Sequence, residues 1–515
     1  MDKNILPKVE DYVFLSAPNS GAVFIVQRSG EIWMQDGTED WSVSDRKFDQ
    51  AFLNWKKIID GECHWSWLSG WLPVFQIKND SGKQISLLAK NNVLWIKNEK
   101  SVTSYPDKTP IPAEEFEEEV KKLTERWDTW IASGWTPPAV HPYIDTAWKA
   151  SFVQVFMAYS DKHPHYGVAY YGRSEHDAFL PTTLSIVSAL LEYGHVRQAQ
   201  ELLSYFLRRY ILPDGNNDYY GTAISELGGL LALSAQMLNY KDGADWLKEH
   251  LNYLNPVFYN LVRMHNPVSS QLICGLIPGA PEADERKNPG AYFHNNAFVW
   301  RAFSEWGNAM ERLGFCEAGI EGKRNARELK RDIEEAILRF KLQDGLLPSR
   351  IDKEENFKSF TGSRDAAYAN YRYYPELLET GILPETDAYA IIKAREEMNG
   401  EVCGMTYLMY GKKEPRFDNW PLASYARGLL ELGDKERFMR AFVCHALFHQ
   451  TQDTFTAYEQ VSEKQNPRRA AADWCIPCQL VLPRMLAWSF RYKKWDGSEI
   501  RGSGPDMKLF KTLIK

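Results

Sequence analysis

The chain has no excess of positive charge, no long apolar run and no even set of closely spaced cysteines. Its 68 Asp and Glu outnumber its 61 Lys and Arg, for a net charge of -7 across 515 residues. No Lys/Arg run forms a basic stripe, which gives no electrostatic reason to expect a nucleic-acid partner. No apolar segment approaches the roughly 18 uninterrupted residues of a membrane span. The opening MDKNILPKVEDY lacks the apolar core of a secretion signal, which predicts a cytoplasmic protein, or a secreted or periplasmic one whose signal has been removed. Seven cysteines stand at 63, 274, 316, 403, 444, 475 and 478. An odd count at wide spacing argues against a disulfide framework. The CIPC pair, Cys475 and Cys478, lacks the second ligand pair that structural zinc usually requires. Both thiols are expected as small apolar groups in a buried helix, with no metal.

Apolar residues make up 44% of the chain and charged residues 25%, the balance of a soluble globular protein with room for a sizeable core and two or three domains. The 18 Trp, 26 Tyr and 25 Phe are numerous, and several fall in predicted loops. Core packing accounts for most of them; aromatic faces also stack on the C–H faces of sugar rings.

Residues 1–112 read as a β-sandwich-like domain. GAVFIVQRSGEIWMQDG, LPVFQIKNDSGKQISLLAK and NNVLWIKNEK alternate apolar and polar residues around SG, NDSG and NN turns. A linker helix follows over 113–135, with its glutamates early and its lysines later. Residues 136–492 are nearly all helix, and 493–515 form a C-terminal tail. Twelve helical segments are expected: 144–160, 177–193, 195–211, 222–239, 243–264, 293–314, 319–342, 365–380, 385–397, 417–432, 434–450 and 468–491. Short links follow the even-numbered segments and long, mutually similar loops follow the odd ones, which marks a repeat architecture. The fold class is therefore mainly α. Six hairpins close into an (α/α)6 toroid, with an open solenoid as the structural alternative. In the toroid all the long loops gather at one end, where chemistry concentrates on a rigid scaffold.

Three of those loops hold the candidate groups. The first, HPHYGVAYYGRSEHDAFLP, crowds Tyr171, Arg173, His176 and Asp177 before an inner helix. Such a group can hold several hydroxyls of one sugar through charge-assisted hydrogen bonds, although Asp177 could equally be an N-terminal cap. The third runs over 265–292, far longer than a connection requires. It carries Glu282, Asp284 and Glu285, then the polar-aromatic run Tyr292, His294, Asn295 and Asn296. The last contains TAYEQ, with Glu459 between Tyr458 and Gln460. Asp418 and Trp420 in RFDNWP, with Trp474 in ADW, are expected to supply a wall and a stacking platform. Two carboxylates on opposite sides of a funnel suit glycosidic cleavage. One protonates the leaving oxygen and the other activates water, about 6.5–9.5 Å away in the inverting mode.

A β-rich N-terminal domain, a linker helix and a twelve-helix barrel resemble the six-hairpin glycosidases: glucoamylases, glycogen-debranching glucosidases, processing α-glucosidases and α-L-rhamnosidases. YYGRSEHDAFLP is similar to the segment whose Arg and Asp hold the terminal sugar in several of them, with Ser-Glu-His between Arg173 and Asp177 as the departure. GLIPGAPEAD resembles the loop that carries the general acid, which falls on Asp284, with Glu282 as rival. TAYEQVSEKQNPRRAAADW resembles the segment carrying the base, which falls on Glu459. The resemblance implies an inverting, exo-acting glycoside hydrolase on an oligosaccharide or glycoside, with no cofactor. Two alternatives stand beside it. A sugar epimerase or polysaccharide lyase on the same barrel would use a base such as His165, His176, His265 or His294. A non-catalytic carbohydrate-binding protein is the other. Oligomeric state is not legible in the sequence.

Overall fold

The structure is a computed structural model. It describes all residues except 1–11, 18–19, 36–51, 161–162, 173, 222–223, 266–272, 284–286, 343–344, 352–357, 412–413, 464–467 and 515. Its N-terminal part holds two antiparallel sheets. The first orders β1 (Tyr12–Leu15), β2 (Val23–Gln27), β3 (Glu31–Gln35) and β4 (Leu53–Asn54) in sequence. The second is a six-stranded meander of β5 (Cys63–Leu68), β6 (Leu72–Asn79), β7 (Gln84–Lys90), β8 (Val93–Lys97), β9 (Val102–Tyr105) and β10 (Thr109–Ile111). The turns fall where the sequence punctuates. Gly30 takes a positive φ of 117° between β2 and β3, and Asn79 Oδ1 accepts from Lys83 N at 2.9 Å between β6 and β7.

Helix α1 (Ala113–Ala132) lays Phe116 and Leu123, seven residues apart on one face, against Val74, Leu88, Trp95 and Val102 of the second sheet. Its Trp127 and Trp130 pack on Phe156 of α2 (Pro142–Met157) at 5.9 and 5.4 Å between ring centroids. One apolar cluster runs from the sheets, through residues such as Phe24 and Phe75, into the helical part.

The helices that follow are α3 (Leu180–Glu192), α4 (Val196–Tyr210), α5 (Ile224–Gln236), α6 (Gly243–Glu249), α7 (Leu251–His265), α8 (Phe293–Arg312), α9 (Cys316–Phe340), α10 (Arg364–Tyr368), α11 (Tyr374–Glu379), α12 (Glu385–Glu397), α13 (Leu422–Leu432), α14 (Lys435–Phe448), α15 (Ile476–Gln479) and α16 (Val481–Phe490). Their packing returns to its start: α3 lies on α5, α5 on α8, α8 on α11, α11 on α13, α13 on α16 and α16 on α3. Outside this closed ring α4 packs on α3, α7 on α5, α9 on α8 and α14 on α13. No helix among the described residues is long and apolar enough to cross a membrane. Cys475 and Cys478 are buried around the start of α15.

Departures from the expected segments have local causes. The segment 243–264 divides at His250, whose Nδ1 bonds the Trp246 carbonyl at 2.7 Å and closes α6. The segment 365–380 contains a π turn over Ala369–Tyr373. Pro375 has no N–H for the carbonyl four residues back, and the ladder re-registers just before it. The segment 468–491 begins only at Ile476, where Pro477 suits a first helical turn. Residues 401–418 contribute strands not foreseen in the sequence. After the small ribbon β11 (Tyr159–Ser160) and β12 (His163–Pro164), a four-stranded sheet orders β13 (Glu401–Val402), β14 (Met405–Leu408), β15 (Arg416–Asp418) and β16 (Gln460–Ser462).

Candidate active site

Every connection that leads into a ring helix sends side chains into one cavity of about 250 Å³. Tyr166, Tyr171, His176 and Phe179 come from the segment before α3, Tyr219 from that before α5, and Glu282 from that before α8. Tyr368, Tyr371 and Arg372 enter from α10 and the π turn, Arg416 and Trp420 from the segment before α13, and Glu459 with Gln460 from the segment before α15. Among the described residues the lining is rich in aromatic rings and carries two carboxylates, Glu282 and Glu459.

Glu459 is fixed from several directions. Its N–H donates to the Asp473 carbonyl at 3.1 Å and its carbonyl accepts from Asn419 N at 2.9 Å. The Tyr166 hydroxyl donates to Oε2 at 2.8 Å, and Tyr171 also hydrogen-bonds to this carboxylate. Burial, then the Glu459 charge, raises the Tyr171 phenol, so it stays a donor. The neighbours in TAYEQ have distinct tasks. The Tyr458 hydroxyl accepts from Tyr12 N at 2.8 Å and donates to the Tyr12 carbonyl, which ties the loop to β1. Gln460 pairs opposite Asp418 across β15 and β16. Its Oε1 accepts from Arg416 at 2.6 Å and its Nε2 donates to Asp418 Oδ2 at 2.6 Å. Burial, then the nearby Glu459 charge, pushes the Asp418 carboxyl well above its ordinary range.

Glu282 sits on a loop stapled to the start of α8. His294 Nε2 donates to the Pro281 carbonyl at 2.8 Å, Asn295 Nδ2 to Ala280 at 2.8 Å and Asn296 Nδ2 to Ile277 at 3.2 Å. Gly279 and Gly290 exchange two backbone bonds of 2.9 Å at the neck of the loop. The Glu282 carboxylate meets Arg372 Nη1. The same guanidinium donates from Nη2 to Glu226 and from Nε to Glu376, each at 2.6 Å, and Trp420 covers it at 4.8 Å.

Of the residues the sequence nominates, Glu459, Glu282, Tyr171, His176 and Trp420 converge on this cavity. Asp284 and Arg173 lie outside the described residues. Four others stand behind the wall, which corrects their expected role as sugar contacts. Asp177 Oδ1 is 2.7 Å from His165 Nδ1, and its Oδ2 is 2.9 Å from His163 Nε2. Burial alone would raise this carboxyl, but the two imidazoles hold it down at about 2. The remaining ring nitrogens face the Tyr205 hydroxyl at 2.9 Å and the Ser160 hydroxyl at 3.1 Å, so the trio is complete as a hydrogen-bonded unit. His294 is fully buried, stacked on Tyr373 at 4.7 Å, and burial lowers its imidazole to about 3. Trp474 is fully buried against Phe14, with Nε1 donating to Gln479 at 2.7 Å, and so offers no stacking platform. Asp418 is likewise fully buried, its oxygens taken by Trp420 N and Gln460. Among the other histidines considered as bases, His165 is buried and His265 pairs with Asp332 at 3.1 Å.

Sequence reasoning missed Tyr166, Phe179, Tyr368, Tyr371 and Arg372. The last three had a usable signal, since their i, i+3, i+4 spacing puts an arginine and two tyrosines on one helical face.

No protein-family model matches the chain, and no curated protein sequence matches it. Solved structures do resemble it. A bacterial glucoamylase complexed with acarbose aligns over 98% of this chain and 88% of its own, at a TM-score of 0.51 and 10% identity. A rhamnosidase from Klebsiella oxytoca with rhamnose bound aligns over 69% and 65%, at 0.48 and 9%. An unsaturated glucuronyl hydrolase specific for heparin aligns over 67% and 95%, at 0.42 and 10%. The chain shares its overall fold with that glucoamylase. At such identities the likeness concerns architecture, and activity rests on the site itself.

Proposed function

We propose that the chain is an inverting, exo-acting glycoside hydrolase built on a twelve-helix (α/α)6 toroid. The observation that carries this reading is the convergence of Glu459 and Glu282 on one aromatic cavity fed by all six connections into the ring. The likeness to a glucoamylase fold supports it. A cavity surrounded by loops at one end of a closed ring suits the end of a sugar chain better than its middle.

Glu459 acts as base. A protonated Asp418 behind it leaves the negative charge of the pair on the residue that reaches the cavity, and the Tyr166 and Tyr171 hydroxyls orient its oxygens toward one water. Glu282 is the described carboxylate on the facing wall, and we assign it the proton donor; Asp284, two residues on, is its competitor. The donor protonates the glycosidic oxygen while Glu459 takes a proton from water attacking the anomeric carbon from the opposite face. That geometry requires roughly 6.5–9.5 Å between the two carboxyls. Tyr171, His176 and Trp420 bind the terminal sugar, Trp420 by stacking. Substrates are glycosides or oligosaccharides, and no step calls on a metal or cofactor.

A panel of p-nitrophenyl glycosides tests this reading: at least one is hydrolysed by the wild-type chain and none by Glu459→Gln. A panel left untouched by well-folded wild-type protein, with sugars binding but not turning over, would make it a carbohydrate-binding protein instead.

A further inference from the structure

The acid side of the cavity is built unusually. Three carboxylates, Glu226 from α5, Glu282 from the stapled loop and Glu376 from α11, surround the single guanidinium of Arg372, and all four side chains are at least nine-tenths buried. Fully ionised, this group would carry a net charge of -2 away from water, which the cost of burying unbalanced charge disfavours strongly. Among the described residues, the groups facing the cluster are these. From α8, His294 Nε2 stands 4.0 Å from Glu376, but burial holds that imidazole neutral. Glu379 on α11 adds a further negative charge, itself paired to Arg427 of α13 at 3.1 Å. Glu226 accepts at Oε2 from the Ser225 hydroxyl at 3.1 Å and at Oε1 from Ala283 N at 3.3 Å, the residue next to Glu282. Arg372 and Trp420 also line a second cavity of about 130 Å³ inside the ring, together with Glu226 and Glu376. The pair therefore forms a partition: Glu282 faces the sugar side, and the other two carboxylates face the inner side.

We propose that Glu226, Glu282 and Glu376 hold one proton in common around Arg372, and that this shared proton is the one delivered to the leaving group. Glu226 and Glu376 are then positioning residues for the proton donor, and the inner cavity is the route by which the cluster is recharged. The inference rests on the hydrolase assignment and deepens it. The proton passes from Glu282 to the glycosidic oxygen as the C–O bond breaks, while Glu459 receives one from the attacking water. Glu459 then releases its proton to solvent and the cluster takes one up from solvent, so the cycle closes without another reactant. Burial, and after it the like charges of Glu226 and Glu282 against the opposing pull of Arg372, push the Glu376 carboxyl up to about 8, in keeping with a proton retained at neutrality.

The test is the pH profile of kcat/KM for wild type, Glu376→Gln and Glu376→Asp, with Glu226→Gln as the second variant should the first not fold. Removing one negative charge lowers the proton affinity of what remains. The basic limb in Glu376→Gln is expected to move to lower pH by about one unit, and Glu376→Asp to restore it toward wild type. An unmoved limb in folded Glu376→Gln overturns the proposal. A second readout needs no turnover: the difference infrared spectrum of the full chain, wild type minus Glu376→Gln, followed with pH. A protonated-carboxyl band that titrates lower in the variant supports proton sharing, even if no glycoside is hydrolysed and the hydrolase assignment itself has failed. Identical titrations in the two proteins refute it.

Discussion

At the scale of single residues, the site depends on hydrogen bonds that fix charge. Glu459→Gln keeps shape and loses the base, so kcat should fall on the order of 10³-fold while sugar binding and melting temperature stay near wild type; a calorimetric titration beside the rate measurement checks both halves. The two candidate acids separate by leaving group. A variant lacking the proton donor recovers on glycosides whose aglycone departs without protonation, and a variant lacking the base does not. Glu282→Gln is expected to lose most of its activity on alkyl glycosides and to keep it on 2,4-dinitrophenyl glycosides, whereas the same pattern in Asp284→Asn, with Glu282→Gln active on both, would transfer the role. Glu459 was legible because a loop carboxylate between aromatic and amide neighbours needs a reason. The spacing of Tyr368, Tyr371 and Arg372 marks a shared face, but its partners were not legible: only folding shows that the guanidinium faces three carboxylates from separate parts of the chain.

At the scale of elements, loops are held by structures far away in sequence. Tyr458 joins the TAYEQ loop to β1, and Gln35 at the end of β3 both donates to the Ala169 carbonyl at 2.8 Å and accepts from its N–H at 3.0 Å. The N-terminal sheets therefore brace the segments on which Glu459 and Tyr171 stand. Tyr458→Phe leaves the Tyr12 N–H and carbonyl buried without that hydroxyl, a cost of about 1–3 kcal/mol per group. It should lower the melting temperature and reduce kcat more than KM; a variant as stable and active as wild type would mean that the sheet only covers the barrel. Helix positions were readable from 3.6-residue periodicity, and α12 falls on its expected bounds, Glu385–Glu397. The breaks were not, because they depend on one side chain at His250 or one missing N–H at Pro375. The sheet of β13–β16 escaped notice because its strands are two to four residues long, too short to show a period of two. Asp177 and His294 stood among the candidate sugar contacts for a related reason. Polar groups crowd both where ligands bind and where a loop must be stapled down, and composition does not distinguish the two.

At the scale of the whole molecule, stability and chemistry respond to pH in linked ways. The Asp177 carboxyl is held at about 2 by His165 and His163 against the effect of burial, below the roughly 3.9 of an unfolded chain. A carboxyl with a depressed folded value contributes stability that is complete above the unfolded value and is lost as pH falls through the folded one. Acid titration should therefore remove about 2 kcal/mol between pH 4 and pH 2, and Asp177→Asn should flatten that part of the curve in a denaturant series. The central claim concerns the ring as a whole: loops from opposite sides of one cavity confront an acid with a water-activating base. The stereochemistry of the first product tests it most directly. Proton NMR of the sugar released in the first minutes, from whichever aryl glycoside the enzyme accepts, should show the anomer opposite to that of the substrate before mutarotation. Release of the same anomer would require a nucleophile and a covalent intermediate, and would contradict the assignment of Glu459 as a base acting through water.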